Sequence, residues 1–182
     1  MDETENIISQ TKKWIIEVVM GCNFCPFAAR VINMDTVHYQ VETAKDLKVC
    51  GQSFLQECRR LDANPAIDTS FLIFPEAFAR FKSYLALGHF ADQLLKNHRY
   101  EGVYQVASFH PLYHFAGSAL NDPANYTNRS PYPMLHLLRE DQVEKALAHY
   151  PDPENIPGRN IDFARQKGEA YMKALRDACL KS

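Results

Sequence analysis

The sequence predicts an α/β fold: a single domain in which a small, mainly parallel but mixed sheet of about four strands is flanked by helices. Short β-rich segments alternate with longer segments of helical periodicity, which is typical of this class. The chain has 182 residues and is 46% hydrophobic, so one domain over residues 1–182 can bury a core of its own. A long loop joins the last two predicted strands, and we expect these to pair antiparallel.

The chain is predicted to begin with an amphipathic helix and a cysteine-containing turn. Apolar residues recur at helical spacing over residues 5–20, and Gly21 is expected to cap this helix in the left-handed conformation. Pro26 favours the first position of a short second helix, because proline lacks an N–H group there that would otherwise be unpaired. We therefore expect Cys25 to be the capping residue.

The next segments predict a strand and a helix. Residues 36–41 alternate apolar and polar side chains and form the first predicted strand. Thr43, with Asp46 three residues later, resembles a helix start, and the helix is expected to end over residues 62–65. Its inner face would carry Leu47, Cys50, Phe54, Cys58 and Leu61.

A second strand and a long helix follow. Residues 70–74 are a short apolar run suited to a buried strand. Pro75 and Glu76 are expected to open the helix directly after it. The predicted inner stripe of this helix comprises Phe78, Phe81, Leu85, Gly88, Ala91, Leu94 and Leu95.

The last part of the chain is predicted to hold two strands and two helices. The strands cover residues 103–109 and 133–139. A capping box at Asp141 starts a helix afresh, and Asn160 is expected to cap a terminal helix after a connector over residues 151–158.

Composition excludes several classes of function. A net charge of −2 and a pI near 6.4 provide no field that would attract nucleic acid or an anionic membrane. The acidic N-terminus does not resemble a secretory signal, so we expect a soluble, cytoplasmic protein. In that setting the five cysteines are expected to be thiols.

Residues 107–140 form the predicted functional segment. It contains a long connection without periodicity, and such loops inside compact domains are usually functional or disordered. Its many aromatic residues argue against disorder. If the two flanking strands pair antiparallel, His110 and His136 face the same space at the edge where α/β sheets bind ligands.

The polar residues of this segment predict a site for a small anionic molecule. Amide and hydroxyl groups can donate to a carboxylate or phosphate, and arginine can do so with two hydrogen bonds. The candidates are Asp122, Asn125, Asn128, Arg129, Ser130 and Arg139. The alternative is structural: Asn and Asp build turns in the loop, and Arg129 ties it to a carboxylate.

Cys25 is the predicted nucleophile, with His110 or His136 as its acid or base. A thiol at a helix N-terminus meets the positive end of the helix dipole, which lowers its pKa. The alternative is a small buried side chain without chemistry. A metal ion could be bound by His110, His136 and a carboxylate, but the sequence predicts no particular metal or cofactor.

Two resemblances follow from these motifs. Trp14, N-F-C-P-F-A, F-H-P-L-Y-H-F and N-Y-T-N-R-S-P-Y-P-M-L-H-L-L-R-E resemble the bacterial family of domain of unknown function fourteen-fifteen over nearly the full length. That resemblance implies a single-domain bacterial protein and no mechanism. F-C-P-F-A-A-R is similar to the active-site turn of omega-class glutathione transferases and of glutaredoxins, which implies a reactive thiol at Cys25.

The sequence therefore leaves three functions open. The first is a hydrolase or transferase that uses Cys25 and a histidine on an anionic small molecule. The second is a non-catalytic module that binds a small ligand or a metal. The third is a thiol-transfer protein that uses Cys25.

Overall fold

A four-stranded mixed sheet forms the centre of the molecule, and the computed structural model describes residues 2–181. The strands are β1 (Val37–Val41), β2 (Thr69–Ile73), β3 (Tyr104–Phe109) and β4 (Met134–Arg139). Their order is β1-β2-β4-β3, with β1 and β2 parallel and β4 antiparallel to both of its neighbours. The predicted α/β class, the mixed sheet and the antiparallel pairing of the last two strands are confirmed, but two of the three strand pairs are antiparallel, so the sheet is not mainly parallel.

Helices cover the sheet and account for most of the regular structure. The α-helices are α1 (Glu3–Trp14), α2 (Ala28–Asn33), α3 (Leu47–Ala63), α4 (Phe81–Asn97), α5 (Glu140–Ala148), α6 (Ile156–Lys167) and α7 (Glu169–Ala178). A π-helical segment, Ile15–Met20, continues α1, and short 3-10 turns occupy Pro123–Thr127 and Pro153–Asn155. Among residues 2–181, no helix combines the length and the apolar character needed to cross a membrane.

The sheet has two apolar faces, because successive side chains of a strand point to opposite sides. One face packs on α3 and α4 through Leu72, Leu135 and Leu137, and we call it the α3/α4 face. The other carries Phe71 and Met134 and packs on the π-helical segment and the C-terminal helices. We call it the cavity face. Both faces are covered, which explains why every residue of β2 is buried.

The end of the first helix differs from the prediction. Gly21 has φ −59°, so it is not a left-handed cap; Asn23 takes that conformation with φ +54°. The widened π-helical segment carries the chain through Gly21, where a Cβ atom would lie 2.2 Å from the carbonyl oxygen of Glu17. Glycine is required there by this close approach. The following helix begins at Ala28, two residues later than predicted, so Cys25 does not cap it directly.

Two predicted helix starts before the long loop are wrong. Asp46, and not Thr43, caps α3, because its carboxylate accepts hydrogen bonds from the N–H groups of Lys48 and Val49. Pro75 and Glu76 do not open α4, which begins at Phe81. Phe78 has φ +59°, a left-handed conformation that a helix cannot contain.

The phase of α4 also differs from the prediction. Its fully buried side chains are Tyr84, Leu87, Ala91 and Leu95. Leu85, predicted on the inner stripe, is 45% exposed. Tyr84 thus faces the sheet in place of Leu85, and its hydroxyl bonds to Met134 and Phe109.

The caps predicted for the last two predicted helices are wrong as well. Helix α5 begins at Glu140 without a side-chain cap, and Asp141 pairs with Lys145 instead. Asn160 lies inside α6, where its amide donates to the carbonyl oxygen of Phe24. The terminal segment is two helices, because Gly168 (φ +84°) breaks it.

We expect Tyr84→Phe to lower the free energy of unfolding by about 1–3 kcal/mol. The Tyr84 hydroxyl donates to the carbonyl oxygen of Met134 (2.8 Å) and accepts from the N–H of Phe109 (2.9 Å), so its loss leaves buried backbone groups unpaired. Urea unfolding measures the change. Tyr171→Phe is the control at a 47% exposed position, with a change within about 0.5 kcal/mol. Equal losses of stability in the two variants would contradict a stabilising role of the Tyr84 hydroxyl.

Candidate functional site

A cavity of about 330 Å³ lies on the cavity face of the sheet. The π-helical segment, α2 with the turn before it, and α5 form its other walls. Its volume falls within the range of small-molecule sites. The lining residues are Trp14, Ile15, Val19, Cys25, Pro26, Phe27, Ala28, Arg30, Val31, Ile32, Val37, Asp68, Thr69, Phe71, Ala107, Phe109, His136, Leu138, Arg139, Gln142, Val143 and Ala146.

A row of aromatic rings crosses the cavity face. The strand register places Tyr39 beside Phe71, Phe71 beside His136, and His136 beside Ala107. The rings of Tyr39 and Phe71 stack with centroids 5.8 Å apart, and those of Phe71 and His136 stack at 3.9 Å with 8° between their planes. The row ends at Ala107, which lines the cavity.

His136 is a neutral imidazole with one defined tautomer. The Thr69 hydroxyl donates its hydrogen to the carbonyl oxygen of Leu137 (2.6 Å). It therefore accepts from Nε2–H of His136, which lies 2.6 Å away, and Nδ1 of His136 carries a lone pair. Burial lowers the pKa of His136 to about 3, because removal from solvent disfavours the charged imidazolium.

Cys25 lines the same cavity as His136, so two of the three predicted catalytic residues border one space. Hydrogen bonds from the backbone of Phe27 and Ala28 favour the thiolate of Cys25. Burial has the larger effect and raises the pKa of the thiol above its ordinary value. The expected lowering of the Cys25 pKa is therefore wrong.

His110 lies on the other side of the sheet, against α4. Its ring contacts the rings of Tyr84 and Phe81 at centroid distances of 4.9 and 5.4 Å. Nδ1 accepts from the N–H of Leu112 (2.9 Å), so Nε2–H donates to the carbonyl oxygen of Phe78 (2.8 Å). Burial lowers the pKa of His110, and the hydrogen bond to Phe78 opposes that effect.

The expectation that His110 and His136 face the same space is wrong. His136 lies within β4, two residues from the position beside Phe109, and points to the cavity face. His110 follows the end of β3 and turns to the opposite face. The hypothetical metal site built on both histidines is therefore not formed. Within residues 2–181, no group of three or more His, Cys, Asp or Glu side chains is placed to hold a metal ion.

Asn125 holds the long loop together from inside. It is fully buried, and its Oδ1 accepts from the N–H of Phe115 (3.0 Å) and from the Ser118 hydroxyl (2.9 Å). Its Nδ2 donates to the carbonyl oxygen of Ala119 (2.9 Å). These bonds satisfy a buried amide and fix the return of the loop.

Arg129 and Arg139 donate to backbone carbonyl groups. Arg129 donates to Tyr113 O (2.9 Å) and Leu120 O (2.8 Å), and its guanidinium lies over the ring of Tyr126. Arg139 donates to Leu61 O (2.7 Å), although it also borders the cavity. Arg129 thus ties the loop to carbonyl oxygens, and not to the carboxylate that the structural alternative expected.

The other three polar candidates are dispersed around the loop. Asp122 caps a 3-10 turn and pairs with Arg165 at 2.8 Å. Ser130 donates to the carbonyl oxygen of Tyr132. Asn128 donates to the carbonyl oxygen of Ser108 and lines a second cavity of about 270 Å³ that also touches Cys25. Anion binding by these residues stays a prediction.

Sequence reasoning missed the cavity residues Thr69, Phe71 and Ala107. Each is an ordinary strand residue, and the patterns that reveal strands do not reveal which strands are neighbours. The order β1-β2-β4-β3 was the missing information, since it puts these residues beside His136.

Comparison with known proteins identifies one family. A family model described as Protein of unknown function (DUF1415) matches residues 6–174 of the 182-residue chain. No curated protein and no solved structure matches the chain. The local likeness of the Cys25 turn to glutathione transferases and glutaredoxins is not shown by these comparisons.

We expect Cys25 to be alkylated slowly at neutral pH. Because burial raises the thiol pKa, the rate with iodoacetamide should rise with a midpoint above the ordinary value of 9.0. Peptide mass spectrometry separates Cys25 from the other four thiols, and Cys25→Ser is the control. A midpoint at or below 9.0 would contradict the effect of burial.

We expect His136 to make the protein sensitive to acid. Above pH 6.5 the imidazole of His136 is neutral in the folded and in the unfolded protein. Below pH 6.5 the imidazole binds a proton in the unfolded chain, whereas in the folded protein it stays neutral down to about pH 3. Stability thus falls by up to about 1.4 kcal/mol per pH unit as the pH decreases from 6.5. The free energy of unfolding of His136→Phe should depend less steeply on pH, because unfolding of this variant takes up about one proton fewer. Identical slopes for both proteins would count against a His136 that stays neutral in the folded protein.

Proposed function

The chain belongs to the family described as Protein of unknown function (DUF1415), and from the geometry of its cavity we propose that it binds a small, largely apolar molecule without transforming it. The cavity beside the aromatic row carries this proposal. An apolar cavity of about 150 Å³ holds one benzene molecule, so about 330 Å³ has room for two fused rings. Carbon atoms dominate its walls, and few polar groups converge on it.

The state of His136 supports binding over acid-base catalysis. A general base works best when its pKa lies near the working pH. The pKa of His136 is about 3, and its Nε2–H is bound to Thr69. Such an imidazole offers an apolar ring and one acceptor atom, which suits recognition of a neutral ligand.

The charged groups at the cavity also favour a neutral ligand. Arg30 faces the carboxylate of Asp68 at 3.8 Å, and Arg139 donates to backbone carbonyl groups. Asp68 accepts from the side chains of Thr36 and Gln142 as well. These arginines thus have partners within the protein, and an anion would have to displace them.

Helices α2 and α5 provide the route by which a ligand would enter. Neither helix has a fully buried residue, although both line the cavity. Few buried apolar contacts are typical of segments that open at low cost. Asp68 lies between them, bonded to Gln142 of α5 and facing Arg30 of α2, and its contacts link the two helices at the edge of the cavity.

A second candidate is an enzyme in which Cys25 attacks the bound molecule. It is supported by the position of Cys25 in the same cavity as His136 and by the backbone hydrogen bonds to its sulfur. A thiol whose pKa is raised by burial is a weak nucleophile at neutral pH, so this candidate ranks second. The same argument applies to thiol transfer, and the alkylation experiment on Cys25 bears on both.

We expect 2-naphthol to bind saturably, one molecule per chain, and Ala146→Phe to abolish this binding. Ala146 of α5 lines the cavity, and a phenyl ring there fills the space. Isothermal titration calorimetry measures the affinity, and stabilisation of the folded protein should increase with the ligand concentration.

Ala148→Phe is the matched control, because residue 148 is exposed on the same helix. It should bind 2-naphthol as the unmodified protein does. Equal binding of 2-naphthol by both variants would refute a ligand site in the cavity.

A further inference from the structure

The aromatic row on the cavity face spans three of the four strands, and the edge strand β3 adds no ring to it. Three strands contribute a ring at the same level: Tyr39 on β1, Phe71 on β2 and His136 on β4. The fourth strand, β3, contributes Ala107. Its methyl group is too short to cover the outer face of the His136 ring, and the cavity extends over both residues.

From this register we propose that the ligand is a planar aromatic molecule whose ring stacks on His136 above Ala107, as a fourth ring in line with Phe71 and Tyr39. The inference rests on the proposed function and specifies the class of molecule that the cavity takes. Adjacent strands lie about 4.7–4.9 Å apart, which suits rings stacked one per strand with modest tilting.

Neighbouring side chains favour a flat ring at this position. Phe109 follows Ala107 by two residues on β3, and its ring lies 6.2 Å from that of His136, tilted by 40°. Trp14 meets Phe109 edge-on, with 5.1 Å between centroids. The rings of Phe109 and Trp14 bound the proposed ligand position from the side, while the ring of His136 offers its face for stacking. A thick saturated ring system would fit such a slot less closely than a planar one.

The chemistry of His136 fits the same class of ligand. Its Nε2–H is held by Thr69, so the plane of the imidazole is fixed before any ligand arrives. The ring is already stacked on Phe71 at 3.9 Å, which leaves its other face for a partner. Because the imidazole is neutral, no anionic group is needed on the ligand.

The test compares 2-naphthol with decahydro-2-naphthol, which has the same carbon skeleton and hydroxyl group but no aromatic ring. We expect calorimetry to give about three- to tenfold tighter binding of 2-naphthol. His136→Leu should abolish this preference while still binding both molecules, and His136→Phe, which keeps a ring in the row, should preserve it.

A second pair of variants tests the position itself. Ala107→Phe supplies the fourth ring from the protein and should prevent 2-naphthol binding, whereas Ala107→Ser keeps the space and should bind it. Equal affinity for the two naphthols, or a preference that survives in His136→Leu, would overturn this inference and leave the proposed function intact. Failure of both molecules to bind the unmodified protein would overturn the proposed function as well.

Discussion

The insertion of β4 between β2 and β3 is the constraint on which the rest of the structure depends. It closes the sheet with two antiparallel ladders, which pair Phe71 with His136 and His136 with Ala107. A shift of this register by one residue would turn His136 towards the α3/α4 face and bring Leu135 or Leu137 into the cavity. The packing of those two leucines against α3 and α4 therefore fixes the position of the imidazole.

The long loop before β4 makes this insertion possible. Asn125 and Arg129 satisfy backbone groups along the loop, and Tyr84 joins the end of β3 to the start of β4. Buried polar side chains with complete hydrogen bonding stabilise one conformation and are costly to disturb. The polar composition that made this segment look like a binding site is thus largely used to build the loop that positions His136.

Much of the fold could be predicted from the sequence, and less of the site. The strands follow from β-rich runs, and the antiparallel pairing of β3 and β4 follows from the loop between them. The predicted helix starts are wrong where tertiary structure outweighs the local pattern. Pro75 is followed by Phe78 in the left-handed conformation, and the Asn160 side chain donates to the carbonyl oxygen of Phe24. Cys25 and His136 were identified and do share a cavity, but His110 was misplaced. Side chains alternate along a strand, so His110 turns to the face opposite Phe109, while the register places His136 beside Ala107 on the same face as Phe109. That register could not be read from the sequence.

The central claim is that a ligand ring completes the aromatic row above Ala107, and NMR of the protein with labelled alanine methyl groups tests it most directly. The ring current of an aromatic ring seated beside a methyl group shifts the proton resonance of that methyl group. On titration with 2-naphthol, the Ala107 methyl resonance should shift and the shift should saturate, while the resonance of Ala91, buried on the α3/α4 face, stays in place. Saturable binding of 2-naphthol that leaves the Ala107 resonance unmoved would contradict the account.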